Sequence, residues 1–293
     1  MAIIDEIKKS FKKGSILTRL IYINLAVFLV VNIVEIFFFL LGKHDNYSQF
    51  LLTLALPADL SLLARRPWTL VTYMFLHKSF FHILFNLLWL YWFGRIFLQY
   101  LDEKKLAGVY ILGGLSGALM YILAFNAFPV FQNQVPLSYA LGASASVMAV
   151  VIAISVYSPN YTIYLLFFGR VRIIYVAIVG FLASSVFEFS INTGGKLAHI
   201  GGALFGYLFI LRLRKGKDMT KFVSRLLDTV AGWFKPKPRI KVSHRKSETD
   251  MEYNRRKKDE QAEVDRILEK IAKAGYDSLT NDEKETLFKQ SQK

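Results

Sequence analysis

Six stretches of almost uninterrupted apolar residues, near 20–41, 80–100, 106–128, 142–157, 173–189 and 197–213, restrict what this chain can become. Several reach the roughly 20 residues needed to cross a hydrocarbon core of about 30 Å. Hydrophobic residues make up 54% of the chain and the mean hydropathy is +0.34, values that argue against a soluble globule. In lipid, backbone N–H and C=O groups must be satisfied within the segment, which a helix does by itself. The expectation is an all-α polytopic membrane protein, a bundle of six transmembrane helices. The first span has no small-residue cleavage site beside it and is too long for a signal-peptide core, so it reads as a retained signal anchor.

The net charge of +15 is then a matter of membrane orientation and needs no nucleic acid to explain it. With six spans, the N-terminal lysines, Lys104 and Lys105, Arg170 and Arg172, and the run Arg212, Arg214, Lys215, Lys217 all fall on one side. Arg65 and Arg66 fall opposite and weaken the pattern without reversing it. The positive-inside rule therefore places both termini in the cytoplasm, with anionic lipid as the partner of the basic segments; a bacterial-type plasma membrane is the expected setting. The absence of cysteine excludes disulfides, thiolate catalysis and cysteine metal sites.

Five regions follow along the chain. Residues 1–19 are basic and weakly amphipathic, with Ile4, Ile7 and Phe11 at helical spacing. Residues 20–214 form the membrane domain; its long, apolar 42–79 connection is expected to pack on or dip into the bilayer surface. Residues 215–234 read as an interfacial amphipathic helix, with Phe222, Leu226, Leu227, Val230, Trp233 and Phe234 on one side. Residues 235–258 are Pro-, Lys- and Arg-rich and read as a flexible linker. Residues 259–293 read as a short helical hairpin, with Gly275 stopping one helix and Thr280 and Glu283 boxing the start of the next. Too small for a substantial core, this hairpin reads as a docking module for a cytoplasmic partner.

Polar residues within the spans carry the chemistry. Spans two, four and six begin on the same outer side, and His82, Asn86, Ser144 and His199 all sit in their first two turns. His199, Gly202 and Gly206 share one helix face, where glycine permits close approach to a neighbour. His82 and Asn86, four apart, share another. A serine hydroxyl becomes a useful nucleophile once a base takes its proton, and neutral histidine suits that task. Ser144 is the expected nucleophile and His199 the base. The Ser144 N–H, His82 and the Asn86 amide are the donors for an oxyanion. Ser146 should point away and serve packing.

Blander readings stand beside these. A membrane serine often bonds within its own helix, Asn86 alone fits interhelical glue, and intramembrane histidines default to function. His44, His77 and His244 read as interfacial or solvated, with His77 able to line the rim. Glu35 and Glu188 lie at outer depth, but no spacing ties them to His199. A metal at His82 and His199 lacks a third ligand, and no cofactor is expected. A transporter would show repeats or charged midplane groups, which are missing.

These motifs resemble the rhomboid intramembrane serine proteases over about residues 60–214. HILFN (82–86) is similar to the family's His-x-x-x-Asn, GASA (142–145) to its Gly-x-Ser-Gly turn, and HIGGALFG (199–206) to its His-x-x-Gly-x-x-x-Gly. Trp68 falls where the first-loop Trp-Arg pair is found. The resemblance implies a six-helix bundle with an embedded first loop. It also implies hydrolysis of peptide bonds in transmembrane substrates, with the fifth helix and a cap loop gating access. The carried-over roles are Ser144 nucleophile, His199 base, and His82 with Asn86 in the oxyanion hole; Gly142, Gly202 and Gly206 pack the site. Two departures stand out: Ala145 replaces the glycine after the nucleophile, and Thr69 replaces the loop arginine. The competing expectation is a catalytically silent relative that binds membrane helices for trafficking or quality control.

Overall fold

The computed structural model describes residues 2–166, 168–187, 192–234 and 249–291, and the chain divides into two compact units, Met1–Lys235 and Pro236–Lys293. In the first unit, α1 (Ala2–Lys13) is followed by α2 (Ile16–Leu40), which Ser15 opens by accepting the Thr18 N–H at 3.3 Å. The first loop folds into α3 (His44–Leu54), β1 (Leu56–Pro57), α4 (Leu60–Arg65) and α5 (Thr69–Thr72), then a 3-10 turn. Next come α6 (Phe80–Tyr100) and α7 (Glu103–Ala127), capped by Ser79 and Asp102. A 3-10 segment leads to β2 (Tyr139–Ala140), α8 (Ser144–Tyr157), the strands β3 (Thr162–Leu165) and β4 (Gly169–Arg172), and α9 (Ile173–Ser185). The unit ends with α10 (Thr193–Arg214) and α11 (Lys221–Phe234).

The chain is thus an all-α polytopic membrane protein, its minor two-stranded pairings confined to the connections between helices. Among the described residues four helices, α2, α6, α7 and α10, have the length and apolarity to cross a bilayer alone. The other two expected spans are shorter: α8 has 14 residues and α9 has 13. The fifth span, expected to continue to 189, stops as a helix at Ser185; residues 188–191, with Glu188, lie outside the described residues.

The centre of the bundle is a backbone-to-backbone interlock of α7, α8 and α10. A Cβ on Gly113 would sit 2.2 Å from Ala149 Cβ, and one on Gly117 would sit 2.5 Å from Ala145 Cβ. From the other side, Cβ atoms on Gly202 and Gly206 would meet the carbonyl oxygens of Ala145 and Ala149 at 2.1 and 2.3 Å. Two helices therefore touch α8 along one turn-spaced pair of alanines, a packing that needs small residues. Around it, Leu90, Phe97, Tyr110, Ile154 and Phe209 are fully buried.

The first loop is clamped. Arg66 Nη1, Trp68 Nε1 and Thr72 Oγ1 donate to three successive carbonyls at the end of α3, those of Leu52, Thr53 and Leu54, at 3.2, 2.9 and 2.6 Å. These are last-turn carbonyls, which have no partner within their own helix. Thr69, standing in the loop arginine's place, is fully buried and donates to the Arg66 carbonyl. Further on, β1 pairs antiparallel with β2, and Asn126 Nδ2 donates to the Ala58 carbonyl at 2.9 Å.

Beyond α10, the fully buried Thr220 sits against Gly108 of α7, where a Cβ would lie 2.4 Å from Thr220 Cβ. Lys104 and Asp228 pair beside it at 2.6 Å. Phe222 and Leu226 of α11 remain exposed, whereas the side chains of Val230, Trp233 and Phe234, like those of Ile4 and Ile7, lie outside the described residues.

The second unit contains α12 (Asp250–Ala274) and α13 (Asn281–Ser291). Here the expected linker is too long: 250–258 is helical, opened by a capping box of Thr249 and Glu252, while 235–248, with His244, lies outside the described residues. A run of charge on a helix can simply be a solvated face. Gly275 ends α12 at φ 79°, and the Thr280 N–H donates to Glu283 Oε2 at 2.8 Å while the Glu283 N–H donates to Thr280 Oγ1 at 3.4 Å.

Candidate active site

A cavity of about 750 Å³ opens between α6, α8, α9 and the start of α10. His82 and Asn86 of α6, Ser144 of α8 and His199 of α10 all line it. The turn before α8 explains how they meet. Gly142 adopts φ +133°, a conformation L side chains rarely take, and its N–H donates to the Tyr73 carbonyl at 2.9 Å. A Cβ there would fall 2.9 Å from His82 Nε2 and 3.6 Å from Ser144 Oγ. The missing side chain is what lets the His82 ring lie over the turn that carries Ser144.

Ser144 is the first residue of α8, and no side chain caps that terminus. The first intrahelical bond found is Val147 N–H to Ala143, so the first-turn N–H groups keep their hydrogens for another acceptor. Ala145 continues the helix, its buried methyl fitting against Gly117, so the extra carbon is absorbed by α7. Ser146 is fully buried against Gly114, its Oγ without a partner among the described residues. It does not line the cavity.

His199 is oriented by a group that no residue pattern reveals. Its Nδ1 lies 3.1 Å from the carbonyl oxygen of Ser184 in α9. A carbonyl only accepts, so Nδ1 carries the proton and Nε2 keeps its lone pair. Glu35 does not supply this contact: it is hydrogen-bonded to Tyr47 of α3 and does not line the cavity, and Glu188 lies outside the described residues.

Asn86 donates one amide hydrogen to the His82 carbonyl at 2.7 Å, which fixes the amide and leaves a second N–H. His77, read as interfacial or solvated and able to line the rim, is buried instead. It is 3% exposed and packs edge-on against the His82 ring, with centroids 5.1 Å apart at 69°. His44 remains exposed, against Phe39. Trp68 does not line the cavity and holds the first loop, and Gly202 and Gly206 act through packing. Among the described residues no group of three or more His, Asp or Glu is placed to hold a metal ion.

The remaining walls are mostly apolar, Phe81, Phe85 and Trp89 from α6 and Val147, Met148 and Val151 from α8, with Ser184 and Asn192 as polar exceptions. Trp89 closes against α9, where a Cβ on Gly180 would lie 2.3 Å from its ring.

The fold and the cavity define a class, a multi-pass helical membrane protein with serine, histidine and amide groups gathered in one apolar cleft. The family comparison agrees: the Rhomboid domain matches residues 64–216, more than half of the chain, and the chain belongs to that family. It is similar to RHOMBOID-like protein 12, mitochondrial, of Arabidopsis thaliana, with 30% identity over 162 residues, 52% of this chain and 48% of that protein. The chain thus spans about half the length of this curated relative. Residues 247–293 match a family of unknown function, DUF6576.

Proposed function

We propose that the chain is an intramembrane serine endopeptidase that cleaves transmembrane protein substrates with Ser144 and His199. The observation carrying this reading is that Ser144, His199, His82 and Asn86 line one cavity, with Gly142 opening the contact between the first and third. In the proposed mechanism, His199 Nε2 takes the Ser144 proton as Oγ attacks the scissile carbonyl. The imidazolium that forms stays hydrogen-bonded through Nδ1–H to Ser184. The oxyanion is met by the free first-turn N–H of Ser144, by His82 and by the second N–H of Asn86. Collapse returns the proton to the leaving amine, and water then repeats the sequence on the acyl-enzyme. The apolar walls suit a substrate helix that reaches the cavity from the bilayer between α6 and α9. The basic loops support cytoplasmic termini in a bacterial-type plasma membrane. The 1–19 and 215–234 segments would hold to anionic lipid, and the 259–293 hairpin would recruit a cytoplasmic partner.

A fluorophosphonate probe tests the reading on detergent-solubilised protein. Wild type and Ser146→Ala should label, whereas Ser144→Ala and His199→Ala should lose at least about 100-fold in rate, the scale of a lost general base or nucleophile. If a folded wild type neither labels nor cleaves a model transmembrane substrate in liposomes, the silent helix-binding relative is the better description.

A further inference from the structure

On the far side of α6 from the cavity, a groove of about 520 Å³ runs between α2 and α6. Arg95 is the charged group in it, and indeed the charged residue of the whole α6 segment FFHILFNLLWLYWFGRIFLQY. An arginine in an apolar membrane helix is costly to place and usually marks a site. Its Nη1 donates to the Tyr91 hydroxyl at 3.1 Å, with the guanidinium 5.6 Å from the Tyr91 ring centroid. No carboxylate pairs with it among the described residues, and no acidic side chain lines the groove. Gln99, Ser15 and Thr18 add an amide and two hydroxyls; Leu17, Ile21 and Leu98 supply an apolar floor. The groove exists because Gly94 admits Leu17: a Cβ there would lie 2.6 Å from Leu17 Cδ1.

Its position along the bundle fixes what it meets. The Ile16 N–H donates to Glu103 Oε2 at 3.0 Å, so α2 begins where α6 ends and α7 starts. This is the end that also carries Lys104 and Lys105, and α1 adds exposed Lys8, Lys9 and Lys13 as it folds back on α2 through Tyr22 Oη to Ser10 Oγ at 3.2 Å. Arg95 is five residues before the last residue of α6, about 8 Å along the axis at 1.5 Å per residue, the depth of phosphates and upper acyl chains.

We propose that this groove binds the headgroup of an anionic phospholipid, with Arg95 on the phosphate, Gln99 and the Ser15 and Thr18 hydroxyls on its remaining oxygens, and the acyl chain along Leu17 and Ile21. Guanidinium matches a phosphate oxyanion in charge and geometry. The assignment rests on the membrane location and not on the proteolytic reading. The full chain in detergent would be titrated with dioleoyl phosphatidylglycerol, dioleoyl phosphatidylcholine and inorganic phosphate, with bound lipid read by native mass spectrometry. The anionic lipid should bind at least about tenfold more tightly than the zwitterionic one, and Arg95→Gln should abolish that preference. Thr18→Val should weaken it several-fold, and the control Arg214→Gln should retain it. Equal binding of the two lipids, an unchanged preference in Arg95→Gln, its loss in Arg214→Gln, or displacement of the lipid by equimolar inorganic phosphate would each overturn the proposal.

Discussion

Ala145 is the residue at which the expected nucleophile turn departs most from the resembled pattern, because it occupies the place of a glycine beside Ser144. Its backbone is helical and its methyl meets Gly117, so it strains nothing and adds buried carbon. Ala145→Gly should therefore destabilise, by about 1 kcal/mol of helix propensity and about 0.8 kcal/mol for the lost methyl, with probe labelling unchanged. Ala145→Val should overpack α7, costing about 1–3 kcal/mol and lowering labelling as Ser144 shifts. Thermal unfolding and labelling rate, measured together, check both; a gain in stability for the glycine variant would mean that the methyl is a burden. That His82, Asn86, Ser144 and His199 would lie near one another was legible from shared depth and helical spacing, whereas the rest of the cavity lining was not. The Ser184 carbonyl against His199 was not, since every residue has a carbonyl and position in space selects this one. His77 misled for a related reason: flanked by Leu76 and Lys78 it reads as interfacial, and its burial depends on His82 arriving from α6.

At the scale of elements, the long helices were read well because apolar length is local information; α6 has the expected ends, 80 and 100. The first loop was read only as surface-seeking. Its α3–α5 arrangement depends on side chains that reach back 14 to 18 residues to the carbonyls of Leu52, Thr53 and Leu54. Thr72→Val, which keeps shape and removes one donor, should cost about 1 kcal/mol and raise amide exchange at the C-terminal turn of α3. Unchanged exchange there would mean that packing alone holds the loop. The junction after α10 was likewise hidden. An amphipathic pattern points to the bilayer, but it could not announce that Thr220 would be buried against Gly108.

At the scale of the whole molecule, the two units differ in what holds them. The membrane unit closes on glycines and buried aromatics, whereas the C-terminal pair of helices adds charge and caps to a small apolar contact at Ile267 and Leu279. Lys270 hydrogen-bonds the Glu283 carboxylate at 2.8 Å and, with the Thr280 N–H, holds its pKa down at about 2 from 4.5. A depressed carboxyl contributes stability above its unfolded value and loses it as pH falls through the folded one. Amide protection of α13 should thus decline between about pH 4.5 and pH 2, and Glu283→Gln should flatten that part of the profile; a wild-type profile as flat as the variant's would remove the carboxylate from the account. The lengths of the membrane helices carry a last consequence. At 1.5 Å per residue, α6 and α7 rise about 32 and 38 Å, but α9, at the cavity's edge, rises only about 20 Å. Thinning is one way hydrocarbon meets such a mismatch, and by that route the bilayer around this protein is expected to be of uneven depth. A dip beside α9 would leave a neighbouring helix drifting to that flank with less oil to lie in and more of its backbone within reach of water.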